Sequence, residues 1–263
     1  MKKSSLLCMP FFVLAFFLAA GGILPSSTAQ AQLSAAANHG NIKIGFFYHG
    51  DAISVSGVSD PGAELIVKMS SPETHQTLRK KGKTAGVLWM NAGTLAFAHV
   101  PNVYYMKCSS RPEGLLSRQD LCKNMIGYQA MEDHAEVKPM ADGQKHRWFS
   151  EFLKYKESCR LYRVSDEGVR RMPGGGRQAY QAVFEWPYQA PPGDYQVTVY
   201  AVKAGSIIDQ ATCSVHAETA GLARRLTELA MKHGAIYGAL SVLIAIAAGF
   251  AVGLIFGKGG GAH

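Results

Sequence analysis

From Gly234 to Phe256 the chain reads GAIYGALSVLIAIAAGFAVGLIF, 23 residues without a single charge. As an α-helix this stretch reaches roughly 35 Å at about 1.5 Å per residue, enough to cross a hydrocarbon core of about 30 Å. Only seven residues follow it, Gly257 to His263. A chain built this way is expected to be tied to a bilayer by one carboxyl-terminal helix, with nearly everything else on one side of it.

The amino terminus indicates which side. Lys2 and Lys3 precede an apolar run from Leu6 to Leu24, and small and polar residues then lead to Ala29-Gln30-Ala31. That order is the one found in a secretory signal peptide with an A-x-A cleavage site, here residues 1–31; an uncleaved signal anchor is the alternative. Cleavage removes two lysines and no acid, so the formal net charge of +8 falls by two. The expected organisation is an exported domain at 32–217, a juxtamembrane helix at 218–233, a membrane helix at 234–256 and a short cytoplasmic tail at 257–263. The expected place is the bacterial inner membrane, single-pass, with the bulk of the chain in the periplasm. Arg224, Arg225 and Lys232 on the outer flank, against Lys258 on the inner, run counter to the positive-inside tendency. A long translocated domain overrides that tendency. The basic charge is scattered; it suits acidic lipid heads or an anionic ligand, and no nucleic-acid partner is expected.

The body reads as short strands with a helical interruption. Ile42, Ile44 and Phe46 alternate, as do Ile53, Val55 and Gly57, then Leu65, Val67 and Met69. Asp60-Pro61-Gly62 between the last two sets is a turn, because Pro fixes φ and Gly permits a positive one. Val87 and Trp89, then Leu95 and Phe97, read as two more strands separated by Asn91-Ala92-Gly93. Helical spacing follows: Leu115, Leu116, Gln119, Cys122, Met125 and Ile126, then Trp148, Phe149, Phe152, Leu153 and Tyr155. These predict a pair of helices near 113–131 and 146–159. Residues 160–170 and 179–186 read as one hairpin around Met172 to Gly176. Pro191-Pro192-Gly193-Asp194 is a further turn, leading into Tyr195, Val197, Val199 and Ala201 on one strand face, and Gly205 turns the chain into 207–216. The fold class is mainly β: an immunoglobulin-like antiparallel β-sandwich with an inserted helical pair at about 113–159, plus the membrane helix. Tyr195 is placed for a tyrosine corner, or for an ordinary cross-strand aromatic.

Three segments carry a resemblance. F-Y-H-G-D-A-I-S-V-S-G (47–57), L-R-K-K-G-K-T-A-G-V-L-W-M-N (78–91) with V-P-N-V-Y-Y (100–105), and I-Y-G-A-L-S-V-L-I-A-I-A-A-G-F (236–250) resemble a family described as "putative transmembrane proteins" of alphaproteobacteria. The segments span the mature chain in order. The middle one is the most specific, and the positions it carries over are Lys80, Lys81, Gly82, Gly86, Trp89 and Asn91. The chain departs from the family pattern in the leucine before Trp89 and in its four mature cysteines. The resemblance implies a signal peptide, an exported β-rich domain and one carboxyl-terminal span. It implies no activity, and by association it implies companions of membrane permeases for small anions.

Four features invite a chemical reading. Cys108, Cys122, Cys159 and Cys213 in an oxidising compartment suggest two disulfides among three possible pairings, with Cys108–Cys122 and Cys159–Cys213 stapling the helices to the sandwich. No C-x-x-C occurs, and the spacings fit no compact zinc pattern. Met106, Cys108, Met125, Met131, His134, Met140 and His146 crowd the central third and invite copper, yet they show no paired spacing, so core methionines and solvated histidines are the expectation. Arg79, Lys80, Lys81 and Lys83, followed by Trp89 and Asn91, form either an anion-binding hairpin or a solvated loop guarding a sheet edge. In the tail, Gly249, Gly253 and Gly257 recur every four residues, the spacing that lets helix backbones approach closely in lipid.

No catalytic motif is present: no G-x-S-x-G, no H-E-x-x-H, no P-loop and no dinucleotide fingerprint. No metal and no cofactor are expected. The reading is a non-enzymatic, membrane-anchored periplasmic domain that assists an integral membrane partner, such as a small-anion permease, or associates with itself through the helix. The alternative is a periplasmic receptor domain for an oxyanion or copper.

Overall fold

The computed structural model describes residues 33–45, 48–84, 86–139, 143–174 and 176–256. The expected signal peptide, Met140 and the tail with Gly257 lie outside them. In chain order the first elements are β1 (Ala36–Ala37), β2 (Asn41–Ile44), β3 (Asp51–Ser59), β4 (Glu64–Ser70), β5 (Glu73–Thr84), β6 (Leu88–Pro101) and β7 (Tyr104–Cys108). Helices α1 (Pro112–Leu115), α2 (Arg118–Lys123) and α3 (Tyr128–His134), strand β8 (Glu136–Lys138) and helix α4 (Lys145–Ser158) follow. The chain continues with β9 (Tyr162–Ser165), β10 (Val169–Pro173), β11 (Gln178–Trp186), β12 (Gly193–Lys203) and β13 (Ser206–Thr219), and ends in α5 (Gly221–Lys232) and α6 (Gly234–Phe256).

The fold is mainly β. A four-stranded sheet, β1-β3-β11-β10, faces a six-stranded sheet, β2-β13-β12-β4-β7-β9, and a third sheet, β5-β6-β8, carries the long hairpin. Most pairs are antiparallel; β2 with β13 and β7 with β9 are parallel. The alternation read from the sequence is realised in the first core. Ile53 and Val55 face Leu65, Val67 and Met69, with Val197, Val199 and Ala201 beside them, all buried. The Asp60-Pro61-Gly62 turn closes with Ala63 N–H donating to the Asp60 carbonyl at 3.2 Å, and Gly62 adopts φ +74°. Ala204 and Gly205, both at positive φ, close the β12–β13 hairpin. Tyr195 donates its hydroxyl to the Pro191 carbonyl at 2.5 Å and meets the Trp186 ring edge-on at 4.4 Å. That is the backward hydrogen bond a tyrosine corner makes.

A second core lies on the opposite face of the six-stranded sheet. Ile66, Tyr104, Met106, Tyr200 and Val202 point there and meet Phe97 and Val100 of β6, with Phe149 and Phe152 of α4. Phe97 stacks on Phe152 at 4.5 Å, which fastens the hairpin base to the helix.

Several expectations need correction. The single helix near 113–131 is three short ones. Leu116 is extended, Ser117 caps α2 by accepting from Asp120 N–H, and Met125 and Gly127 take φ +48° and +90°. The buried Tyr104 hydroxyl holds this break, donating to the Met125 carbonyl at 2.9 Å and accepting from Gly127 N–H at 2.8 Å. It thereby satisfies backbone groups that an uninterrupted helix would have paired internally. Asn91-Ala92-Gly93 is not a turn but a β-bulge inside β6, where Lys80 alone lies between the pairs Arg79↔Thr94 and Lys81↔Asn91. Gly93 spends its permissive φ, +130°, on that bulge. Residues 160–170 do not form one arm of a hairpin: β9 joins β7, and only β10 pairs with β11.

Two lysines are sunk beside the second core. Lys156, 3% exposed, donates to the Asn102 carbonyl at 3.1 Å between the Phe152 and Tyr162 rings. Lys68 donates to the Asn124 carbonyl at 2.5 Å and lies by the Tyr200 ring. Burial pulls both ammonium groups down from 10.5 to about 8. The unfolded chain therefore holds these protons over a window where the folded chain has released them, so stability rises with pH above about 8. Cys108, pushed up to about 12 by burial, and the buried tyrosines act in the opposite sense once their unfolded counterparts begin to ionise. Urea unfolding of the full chain in detergent should thus show a stability maximum at about pH 9, and the K68M/K156M double variant should lose the rising limb. A second prediction concerns the bulge. Gly93→Val places a β-branched residue at φ +130° and should open the outer hairpin, seen as faster tryptic cutting after Arg79 to Lys83 while the remaining domain stays resistant.

Candidate functional site

The basic cluster lies on a strand, not in a loop. Arg79, Lys80, Lys81 and Lys83 belong to β5; Trp89 and Asn91 belong to β6, opposite Lys83 and Lys81. The inner part of the hairpin is packed on the second core through Leu78, Leu95 and Phe97. The outer part, from Arg79 to Thr94, is a two-stranded ribbon with mostly exposed side chains. Alternation sends Arg79, Lys81 and Lys83 to one face at steps of about 7 Å. Lys80 turns the other way and lies over the Trp148 ring of α4 at 4.6 Å. Gly82 is where the two arms press together, since a Cβ there would meet the Ala92 Cβ at 2.7 Å. Asn91 is engaged locally, its Oδ1 accepting from Gly93 N–H at 3.2 Å. The end of the ribbon is apolar: Val87, Leu88 and Met90 are 85%, 62% and 49% exposed. The ribbon thus combines a cationic face with a greasy tip.

A cleft of about 720 Å³ lies elsewhere on the domain, and no local motif in the sequence announces it. Asp51, Tyr105, Arg160, Arg163, Glu185 and Tyr188 line it, drawn from distant parts of the chain. Arg163 pairs with Glu185 at 3.0 Å. The Tyr105 hydroxyl, pushed up to about 12 by burial, donates to the Arg160 carbonyl at 2.5 Å. The charges in this cleft largely neutralise one another.

The crowded methionines and histidines do not assemble. Met106, Met131 and Cys108 are core residues of the second cluster, and His146 pairs with Glu132 at 3.0 Å. His134 instead turns toward Glu73, where His99 also arrives. The expected disulfides are not formed: Cys108, Cys122, Cys159 and Cys213 are all free. Cys108 is sealed in the second core, whereas Cys213 packs against the first, on the other side of the six-stranded sheet. Cys122 lies near the Asp133 carboxylate at 3.4 Å, and Cys159 caps α4.

Helix α6 is apolar on all sides, as expected of a membrane span, and it is not buried by the rest of the chain. Ile246, Gly249, Phe250, Gly253 and Leu254 line a shallow groove along it. A Cβ built on Gly249 or Gly253 meets nothing within 4 Å, so neither glycine is required by a contact among the described residues.

No curated protein matches the sequence. Among solved structures, the chain is similar to one titled "Crystal structure of BslA - A bacterial hydrophobin" at 9% identity and a TM-score of 0.21, with 73% of this chain and 97% of that chain covered. A likeness at that score carries no argument. The family model described as "Putative transmembrane protein (Alph_Pro_TM)" matches residues 32–258, which take in the β-sheets, α5 and α6. On that match the chain belongs to this transmembrane family.

Proposed function

We propose that the protein is a non-enzymatic, single-pass accessory subunit of the bacterial inner membrane, whose β-domain stands in the periplasm beside an integral membrane partner such as a small-anion permease. The observation that carries this reading is α6: a span-length apolar helix, left unpacked by the other described residues, with an open glycine groove. Apolar side chains gain little from leaving lipid for another helix, so association there depends on close backbone approach, which Gly249 and Gly253 permit. The ribbon supports the same reading from the domain side. Its cationic face and exposed Val87, Leu88 and Met90 suit a second contact at the outer surface of the partner or the bilayer. The absence of catalytic motifs from the sequence agrees with a positional role.

The test is replacement of both groove glycines. A Cβ at Gly249 or Gly253 meets none of the described residues, so with Gly249→Leu and Gly253→Leu the β-domain should unfold at the wild-type urea concentration. Crosslinking in native membranes should then lose the partner band by at least about tenfold, the scale of a helix–helix packing contribution near 1.4 kcal/mol. An undiminished crosslink would remove the groove from the proposal.

A further inference from the structure

The long hairpin and the helices bring three dispersed residues to one point. Glu73 opens β5, His99 lies near the end of β6, and His134 is the last residue of α3. Glu73 Oε2 is 3.3 Å from His99 Nδ1, and Glu73 Oε1 is 3.3 Å from His134 Nε2. One ligand atom from each of the three lies within 4.8 Å of the others. Tetrahedral metal bonds of about 2.0–2.1 Å place neighbouring ligand atoms about 3.3 Å apart, so the two short separations already match a coordination edge. The imidazoles do not stack; their rings meet at 73° with centroids 5.7 Å apart, and each turns a nitrogen to the same carboxylate.

The backbone is bent to make this meeting. Between the pairs Thr74↔Val100 and Gln76↔Phe97, β5 contributes His75 alone, whereas β6 contributes Ala98 and His99. His99 is the extra residue, held at φ +59°, a conformation that side-chain-bearing residues adopt at a cost. Without that bulge a regular strand would not present the ring at this point. His75 brings a third imidazole to the rim, its ring centroid 5.9 Å from that of His99. Glu136 of β8 is already engaged by Lys138 at 2.8 Å. The three central side chains remain open to solvent, at 39% to 51% exposure, so an ion has a way in.

We infer that Glu73, His99 and His134 form a binding site for a divalent first-row transition ion of the zinc or copper class, with His75 at its rim and at least one position left to solvent. Two imidazoles and a carboxylate suit these borderline ions, whereas calcium and magnesium require all-oxygen shells. A bound ion would clip β5, β6 and α3 together at the base of the hairpin, at the end away from the ribbon. The inference is independent of the partner reading, because it uses neither the α6 groove nor the ribbon face and tip.

The experiment is a cobalt titration of the full-length, tag-free, metal-stripped protein in detergent, followed by displacement with zinc. One equivalent of cobalt should give visible d–d absorption of a four- or five-coordinate nitrogen–oxygen site, and zinc should bleach it. His134→Gln and His99→Asn should each weaken binding by at least about tenfold, the lower end of what loss of a metal-orienting group costs. Asparagine is chosen at 99 because it tolerates positive φ without supplying an imidazole. His146→Ala, at a histidine paired elsewhere with Glu132, should bind as the wild type does. Absence of a one-equivalent band, or wild-type affinity in both the 99 and 134 variants with unchanged circular dichroism, would overturn the inference.

Discussion

Strands β4 and β12 lie side by side in the middle of the six-stranded sheet, and over Leu65–Val67 and Val197–Val202 both of their faces are buried. Leu65, Val67 and Met69 enter one core while Ile66 enters the other; on β12, Val197, Val199 and Ala201 are set against Tyr200 and Val202 in the same manner. Removing both faces of a strand from water demands near-continuous apolar sequence, and ELIVKMS and VTVYAV provide it. The four-stranded sheet can cover only one of those faces. The helices and the hairpin base must cover the other, so the helical insertion is a second lid and not an ornament on a two-layer sandwich.

This double burial also explains the polar exceptions. Lys68 belongs to β4, and Lys156 reaches in from α4. Each ends on a backbone carbonyl between two elements, Asn124 after α2 and Asn102 before β7, and each lies by aromatic rings. Tyr104 and Tyr162 do the same work with hydroxyls, at Met125, Gly127 and Pro101. Irregular backbone buried between layers must find partners from side chains, and here long polar side chains supply them.

The sequence made the first core legible and left the second largely hidden, for one physical reason. Period-two alternation marks a strand with one dry face, as with Ile53 and Val55, and turn chemistry such as Asp60-Pro61-Gly62 carries its own backbone logic. Helical spacing from Leu115 to Ile126 marks real burial at the wrong geometry: Leu116 and Ile126 are buried, but the backbone leaves the helix at Leu116–Ser117 and again at Asn124–Met125, where the Tyr104 hydroxyl donates to the Met125 carbonyl. The Asn-Ala-Gly signal was equally real, since Gly93 does take positive φ, but a bulge uses the same freedom as a turn. Misplacing that turn concealed the uninterrupted hairpin. With it went the juxtaposition of Glu73 and His75 with His99, which only the strand register reveals. Placing His134 beside them required the three-helix path, which no local pattern encodes. The cysteines mislead for a compositional reason: an even number of them says nothing about whether two share a core.

Strand β5 has 12 residues and its partner β6 has 14. The surplus of two is accounted for by the bulges at His99 and at Gly93, each of which adds a bend and an increment of right-handed coil to the arm. The direction in which the greasy end points is therefore written into the skeleton as well as into the packing of Phe97 on Phe152 and of Lys80 on Trp148. Excising one residue at either place would preserve the partners along the two arms and yet swing the tip to a different bearing, whereas exchanging Arg79 or Lys81, on the face turned away from Lys80, would alter its charge and leave its aim untouched.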